Sequence, residues 1–134
     1  MKSASLLAAL LLGWSLDAAA ACPPGMSEGE HLTGRSMAVT WKSVPSPVPV
    51  GQYFRLALVA CTSAQQPFAG TIAIDANMPL HRHGMNYRAS VRSQGDGRYL
   101  AEGLLFHMPG RWQITIDTDD GQQREHLVTE LEVE

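Results

Sequence analysis

Two short segments hold the side chains best suited to chemistry. Residues 78–85 read Met-Pro-Leu-His-Arg-His-Gly-Met, and residues 107–110 read His-Met-Pro-Gly. Together they contain three of the five histidines and three of the six methionines. Imidazole nitrogen binds copper in either oxidation state, and the thioether sulfur of methionine favours Cu(I). The two segments therefore predict a copper site built from two loops, with Cu(I) favoured and Cu(II) as the alternative.

The spacing within the first segment favours shared binding. His81 and His83 are two residues apart, so an extended backbone directs both imidazoles to one side. Gly84 permits a bend that returns Met85 toward them. Each donor also has an ordinary structural alternative, because methionines fill cores and histidines are common in exposed turns. The candidate ligands are Met78, His81, His83, Met85, His107 and Met108.

The N-terminus has the pattern of a secretory signal peptide. Lys2 precedes an apolar run over residues 6–16, and small residues follow, so we expect residues 1–21 to be removed and the protein to be periplasmic or secreted. The run is too short to be a good membrane span, and we expect no transmembrane segment in the mature chain. Lipoprotein processing with an anchor at Cys22 is the alternative.

Charge and cysteine content narrow the class of protein further. The net charge of −3 gives no reason to expect nucleic acid as a partner. Cys22 and Cys61 are the only two cysteines, and an even number in an exported chain predicts a disulfide. Two free thiols, or one thiol lost to a lipid anchor, are the alternatives.

Beyond the leader, the chain is a series of short runs with alternating apolar residues and turn signals between them. This pattern predicts an all-β domain over residues 35–134, a seven-stranded antiparallel immunoglobulin-like β-sandwich, after an irregular leader over residues 22–34. The predicted strands cover residues 37–42, 53–60, 71–76, 86–92, 98–106, 111–117 and 124–133.

Strand order gives a geometric prediction for the two segments. If successive strands alternate in direction, the connection between the third and fourth predicted strands, which holds residues 78–84, lies at the same end of the sandwich as the connection between the fifth and sixth, which holds residues 107–110. Cys61, at the end of the second predicted strand, lies at the other end. Since metal–nitrogen bonds are about 2 Å, a separation of the His83 and His107 rings within about 8 Å would allow both segments to bind one ion after modest side-chain movement, and a separation beyond about 15 Å would exclude a site built from both loops.

The chain resembles the YtkA-like family, which is related to FixH-like domains, over residues 35–133. The resemblance implies an immunoglobulin-like sandwich and a role in copper handling or in respiratory-oxidase assembly. FixH-like proteins keep a transmembrane anchor, whereas this chain has the pattern of a cleavable signal. The motifs are Met78-Pro79-x-His81-x-His83-Gly84-Met85, Gly95-Asp96-Gly97-x-Tyr99 and Met108-Pro109-Gly110-x-Trp112.

Two functions fit these features. The sequence has no nucleophile elbow, no glycine-rich phosphate loop and no paired-acid motif, so we expect a binding protein and not an enzyme. The first hypothesis is a periplasmic copper carrier or chaperone that passes its ion to a periplasmic or membrane copper-accepting protein. The alternative is a metal-free accessory domain that docks on a periplasmic or membrane complex, such as a respiratory-oxidase assembly system.

Overall fold

The computed structural model describes residues 20–134, and these residues form nine strands. No helix within this range is long and apolar enough to cross a bilayer. The predicted signal peptide lies almost wholly outside the described residues. The strands are β1 (Glu30–Thr33), β2 (Met37–Val44), β3 (Tyr53–Thr62), β4 (Thr71–Met78), β5 (His83–Gly84), β6 (Ser90–Gly95), β7 (Arg98–Leu105), β8 (Gly110–Asp119) and β9 (Arg124–Val133).

The strands form two antiparallel sheets around one core. Their orders are β1-β2-β3-β7-β6 and β5-β4-β8-β9. Alternation explains which face each sheet buries: in β8, Trp112, Ile114 and Ile116 are fully buried, whereas the residues between them are not. The prediction of an all-β protein is therefore confirmed.

The strand count differs from the seven that were predicted. β1 lies inside the leader that was expected to be irregular, and it pairs with β2 from Glu30↔Trp41 to Thr33↔Ala38. This strand escaped prediction because it is a short edge strand with almost no buried residue. β5 is only two residues long and lies in the connection after β4.

The fourth predicted strand is also displaced. Residues 86–92 were expected to form it, but the strand at this position, β6, covers Ser90–Gly95. The chain leaves one sheet at β5 and joins the other at β6, so residues 85–89 cross between the sheets. The tight turn after β6 is present as predicted, with Gly95 and Gly97 at positive φ.

Two cysteines come together at the end of the sandwich opposite the two Met/His segments. Cys22 and Cys61 lie at disulfide-bonding distance, as predicted, with their Cα atoms 5.8 Å apart. Nearby, the buried Tyr99 hydroxyl lies 3.0 Å from the Phe68 carbonyl oxygen and 2.8 Å from that of Gly70. These contacts hold the β3–β4 connection against β7.

A carboxylate from β9 caps the turn between β1 and β2. Glu125 accepts hydrogen bonds from the backbone N–H groups of Arg35 (2.8 Å) and Ser36 (2.6 Å), and from the Ser36 hydroxyl. Desolvation raises the pKa of Glu125, but these hydrogen bonds outweigh it and lower the pKa overall. A β-carbon at Gly34 would overlap the Glu125 carboxylate, so glycine leaves room for the cap.

Strand β4 has a neighbour along only part of its outer edge. β5 pairs with Asn77 and Met78, and the Met85 N–H donates to the Ala76 carbonyl at 3.1 Å. The Ala76 N–H is taken by the Asp75 carboxylate at 2.8 Å. Because backbone groups alternate in direction along a strand, those of Ile72 and Ile74 also face this outer edge.

Candidate functional site

The hairpin joining β4 and β5 orients the first segment. Met78 pairs with His83 across the two strands, and the His81 N–H donates to the Met78 carbonyl at 3.0 Å to close the turn. Arg82 completes the turn with a φ of 53°. Directly paired residues share a face of the sheet. His83 therefore points to the same side as buried Met78, whereas His81 remains exposed at the turn.

The connection between β7 and β8 positions the second segment. The Trp112 Nε1–H donates to the Met108 carbonyl at 3.1 Å, which fixes the loop against the start of β8. Gly110 has a φ of 122°, and a β-carbon there would lie 2.9 Å from the Met78 Cε atom. A side chain at position 110 would therefore have to displace the end of the Met78 side chain, whereas glycine leaves it room.

The two segments meet at one end of the sandwich. The ring centroids of His83 and His107 are 4.9 Å apart, with an interplanar angle of 65°. His81 lies next to them, its ring 5.8 Å from that of His83. The separation of His83 and His107 is well inside the distance of about 8 Å that allows shared coordination.

Trp112 lies beneath these histidines. The His83 ring is nearly parallel to the indole, at 17° and 6.2 Å, and the His107 ring meets it edge-on at 5.5 Å. Phe106 stacks on the same indole at 4.3 Å and 11°. The two imidazoles therefore pack against the aromatic side chains of the core.

One polar atom in this cluster is buried without a partner. His83 Nε2 is inaccessible to solvent and has no hydrogen-bond partner among the described residues. Leaving a buried polar group unpaired costs about 1–3 kcal/mol. A neutral imidazole nitrogen in that position is able to accept a hydrogen bond or to bind a metal ion, and either would relieve this cost.

The three methionines differ in their surroundings. Met78 is 1 % exposed and belongs to the core, and Met108 is half-buried against it. Met85 lies two residues after His83, and it lines a groove of about 580 Å³ together with Ile74 and Tyr87. Met78, paired directly with His83, is therefore the thioether best placed to reach the buried side of that imidazole.

Sulfur is the donor best placed to extend a pair of nitrogens here. Within residues 20–134, no three His, Cys, Asp or Glu side chains are grouped so that they could hold an ion. His83 and His107 offer two nitrogens, and the thioethers of Met78 and Met108 belong to the same two segments. Neutral nitrogen and thioether donors suit Cu(I) and are poor ligands for Mg²⁺ or Ca²⁺.

The charged residues beside the site are partly neutralised. Arg111 lies 3.6 Å from the carboxylates of both Glu130 and Glu132. Arg82 is exposed at the hairpin turn next to Leu80, whose side chain is 88 % exposed. The surface around the histidines therefore presents an apolar side chain and an arginine to solvent.

Sequence reasoning did not assign Trp112 to the site. The motif Met108-Pro109-Gly110-x-Trp112 contains the tryptophan but indicates only that it enters the core. In the structure, the Trp112 Nε1–H donates to the Met108 carbonyl, and this hydrogen bond ties a core residue to a candidate ligand loop.

Comparison with known proteins supports the fold and leaves the family open. No protein-family model matches the chain, and no curated protein matches it. The chain is similar in structure to a DUF4426 family protein from Pseudomonas aeruginosa, with a TM-score of 0.58 and 13% sequence identity. The match covers 78% of this chain and 96% of that one. The resemblance to YtkA-like proteins therefore stays a prediction.

Proposed function

We propose that this protein binds Cu(I) at the end of an immunoglobulin-like sandwich and carries it to an acceptor outside the cytoplasm. The observation that supports the proposal most strongly is the buried, unpartnered Nε2 atom of His83, with the His107 ring 4.9 Å away. Met78 lies beside His83 across the hairpin. His107, Met108, His81 and Met85 are further candidate ligands.

The chemistry of these donors favours Cu(I) for two reasons. All of them are uncharged when they bind, so the ion keeps its own positive charge in a partly apolar surrounding. A divalent ion loses more hydration energy than a monovalent ion in such a place. Thioethers also need no deprotonation and form no disulfides, which suits an oxidising compartment.

The accessible position of the donors fits a carrier. His81 and His107 are exposed, His83 is half-buried, and Met78 is buried. An acceptor would therefore reach the outer ligands first and replace them in turn. The resemblance to YtkA-like proteins, which is based partly on the same Met/His motifs, points to the same function.

Anaerobic titration of the purified protein with Cu(I), against a competing chelator, tests the proposal. We expect one ion per chain with a Kd well below micromolar, and a loss of affinity when His83 and Met85 are replaced together by alanine. His126→Ala is the matched control, because His126 pairs with Asp117 on β8. Binding no tighter than micromolar, or equal binding in the double variant, would refute the proposal.

The metal-free alternative is favoured by one observation, the exposure of Leu80 beside Arg82. An accessory domain could dock on a partner complex through this hairpin without any ion. It predicts equal thermal stability with and without Cu(I), whereas a bound ion raises the stability of the folded state.

A further inference from the structure

We infer that Trp112 is a direct contact of the bound Cu(I) ion and makes the site selective for Cu(I) over Cu(II). This inference rests on the proposed function and adds a residue and a selectivity to it. Trp112 has no nitrogen available as a ligand, because its Nε1–H donates to the Met108 carbonyl. Its contribution would come from the face of the indole.

The direction of the free nitrogen places the ion on the buried side of His83. The Nε2 atom is inaccessible to solvent, so an ion bound to it cannot lie on the outer surface of the imidazole. Trp112, which is fully buried, is the aromatic side chain of the core next to that imidazole. The ion would therefore lie in the plane of the His83 ring, beyond Nε2 on its buried side, and this plane is nearly parallel to the indole of Trp112.

The position of the His107 ring limits the position of the bound ion further. Its ring is 4.9 Å from His83 and 5.5 Å from Trp112, so the three rings surround a common point. An ion held by both imidazoles lies among these rings, within the range of about 6 Å over which a cation is attracted to an aromatic face. Tryptophan is the aromatic side chain that attracts cations most strongly.

The same indole disfavours the divalent ion. Cu(II) prefers a tetragonal set of nitrogen and oxygen ligands, which here would have to include water. The stacked rings of Trp112 and Phe106 fill the space below the histidines and leave an apolar wall there. An aromatic wall attracts Cu(I) without supplying the oxygen ligands that Cu(II) requires.

Two measurements test the contact. In a Trp14→Phe/Trp41→Phe variant of the full chain, Trp112 is the only tryptophan, and we expect Cu(I) to quench its emission until one equivalent has been added. Trp112→Phe should weaken Cu(I) binding about 3- to 10-fold, which corresponds to about 0.7–1.4 kcal/mol and lies within the range of a cation–π contact. Cu(II) binding should change less, so the ratio of the two affinities falls.

Trp41→Phe is the matched control for lost core packing, because Trp41 is 1 % exposed and belongs to another strand. The emission measurement keeps Trp112 in place and does not depend on how well Trp112→Phe folds. Cu(I) binding without quenching, or an unchanged affinity ratio in Trp112→Phe, overturns the contact and leaves the proposed function standing. Absence of Cu(I) binding in the unaltered protein overturns both.

Discussion

Gly110 lies so close to Met78 that a β-carbon at position 110 would be 2.9 Å from the methionine Cε atom. Gly110 is the first residue of β8 and Met78 is the last residue of β4, so this contact joins the two candidate ligand segments. His83 and His107 lie on these same two segments, with their ring centroids 4.9 Å apart.

Gly110→Ala should destabilise the fold and weaken Cu(I) binding together. The substitution places a side chain at a φ of 122° and against Met78, and we expect a loss of about 1–3 kcal/mol in the free energy of unfolding. Gly51→Ala is the control, because Gly51 has a φ of 71° with no atom within 4 Å of the added carbon. Urea unfolding compares the two variants: Gly51→Ala carries only the backbone cost of the left-handed region, so a loss in Gly110→Ala no larger than in Gly51→Ala would contradict the expectation.

A disulfide between Cys22 and Cys61 should stabilise the fold without affecting the affinity for Cu(I). Replacing Cys22 and Cys61 together by serine opens a loop with a sequence separation of 39, which the chain-entropy model values at about 4 kcal/mol. Because the disulfide and the histidines lie at opposite ends, Cu(I) affinity should be unchanged in the folded variant. Chemical unfolding and chelator competition measure the two effects. A large fall in Cu(I) affinity in the folded variant would contradict the prediction that the disulfide and the histidine site are energetically independent.

Glu125 should make stability depend on acidic pH. Its pKa is lower in the folded protein than its ordinary value of 4.5, so its contribution is complete above that value and is lost as the pH falls through the folded-state pKa. Glu125→Gln should flatten the fall in melting temperature below about pH 4.5.

Gly34→Ala offers a second way to remove the Glu125 cap, since its β-carbon would displace the carboxylate. Part of the acid sensitivity should remain in both variants. Asp119 and Asp120 also have lowered pKa values, chiefly because their carboxylates accept backbone hydrogen bonds from Gly121 and Gln123. A pH profile identical to that of the unaltered protein would show that the cap does not contribute.

Tyr99→Phe should cost about 1–2 kcal/mol, because two carbonyl oxygens beside β7 lose the hydroxyl that faces them. Desolvation raises the pKa of Tyr99, although a hydrogen bond with Ser93 opposes the rise. The stability that this phenol contributes is therefore complete below pH 10 and is lost as the pH rises through the folded-state pKa. Tyr53→Phe, at a 61 % exposed position, is the control in urea unfolding.

Much of this architecture follows from local patterns. The long strands were predictable because their residues alternate between core and solvent, as in β8 and β9. Strand direction then brought the two Met/His segments to one end. β1 and β5 were not predictable, since an edge strand of four residues and a pair of two residues carry too little alternation.

The orientation of the candidate ligands could not be predicted from the sequence, for a related reason. Which way His83 points is decided by its pairing with Met78, and that pairing depends on a turn in which Arg82 takes a positive φ. Arginine gives no signal for such a conformation. The side of the imidazole that is buried, and its contact with Trp112, follow from this turn.

The incomplete outer edge of β4 should be visible in hydrogen–deuterium exchange. The amides of Ala73 and Asp75 face β8 and are held in its ladder, whereas those of Ile72 and Ile74 face the edge that β5 does not reach. Along this strand, slow and fast amide exchange should therefore alternate residue by residue. The two fast amides would belong to the isoleucines, although their side chains are among the buried ones.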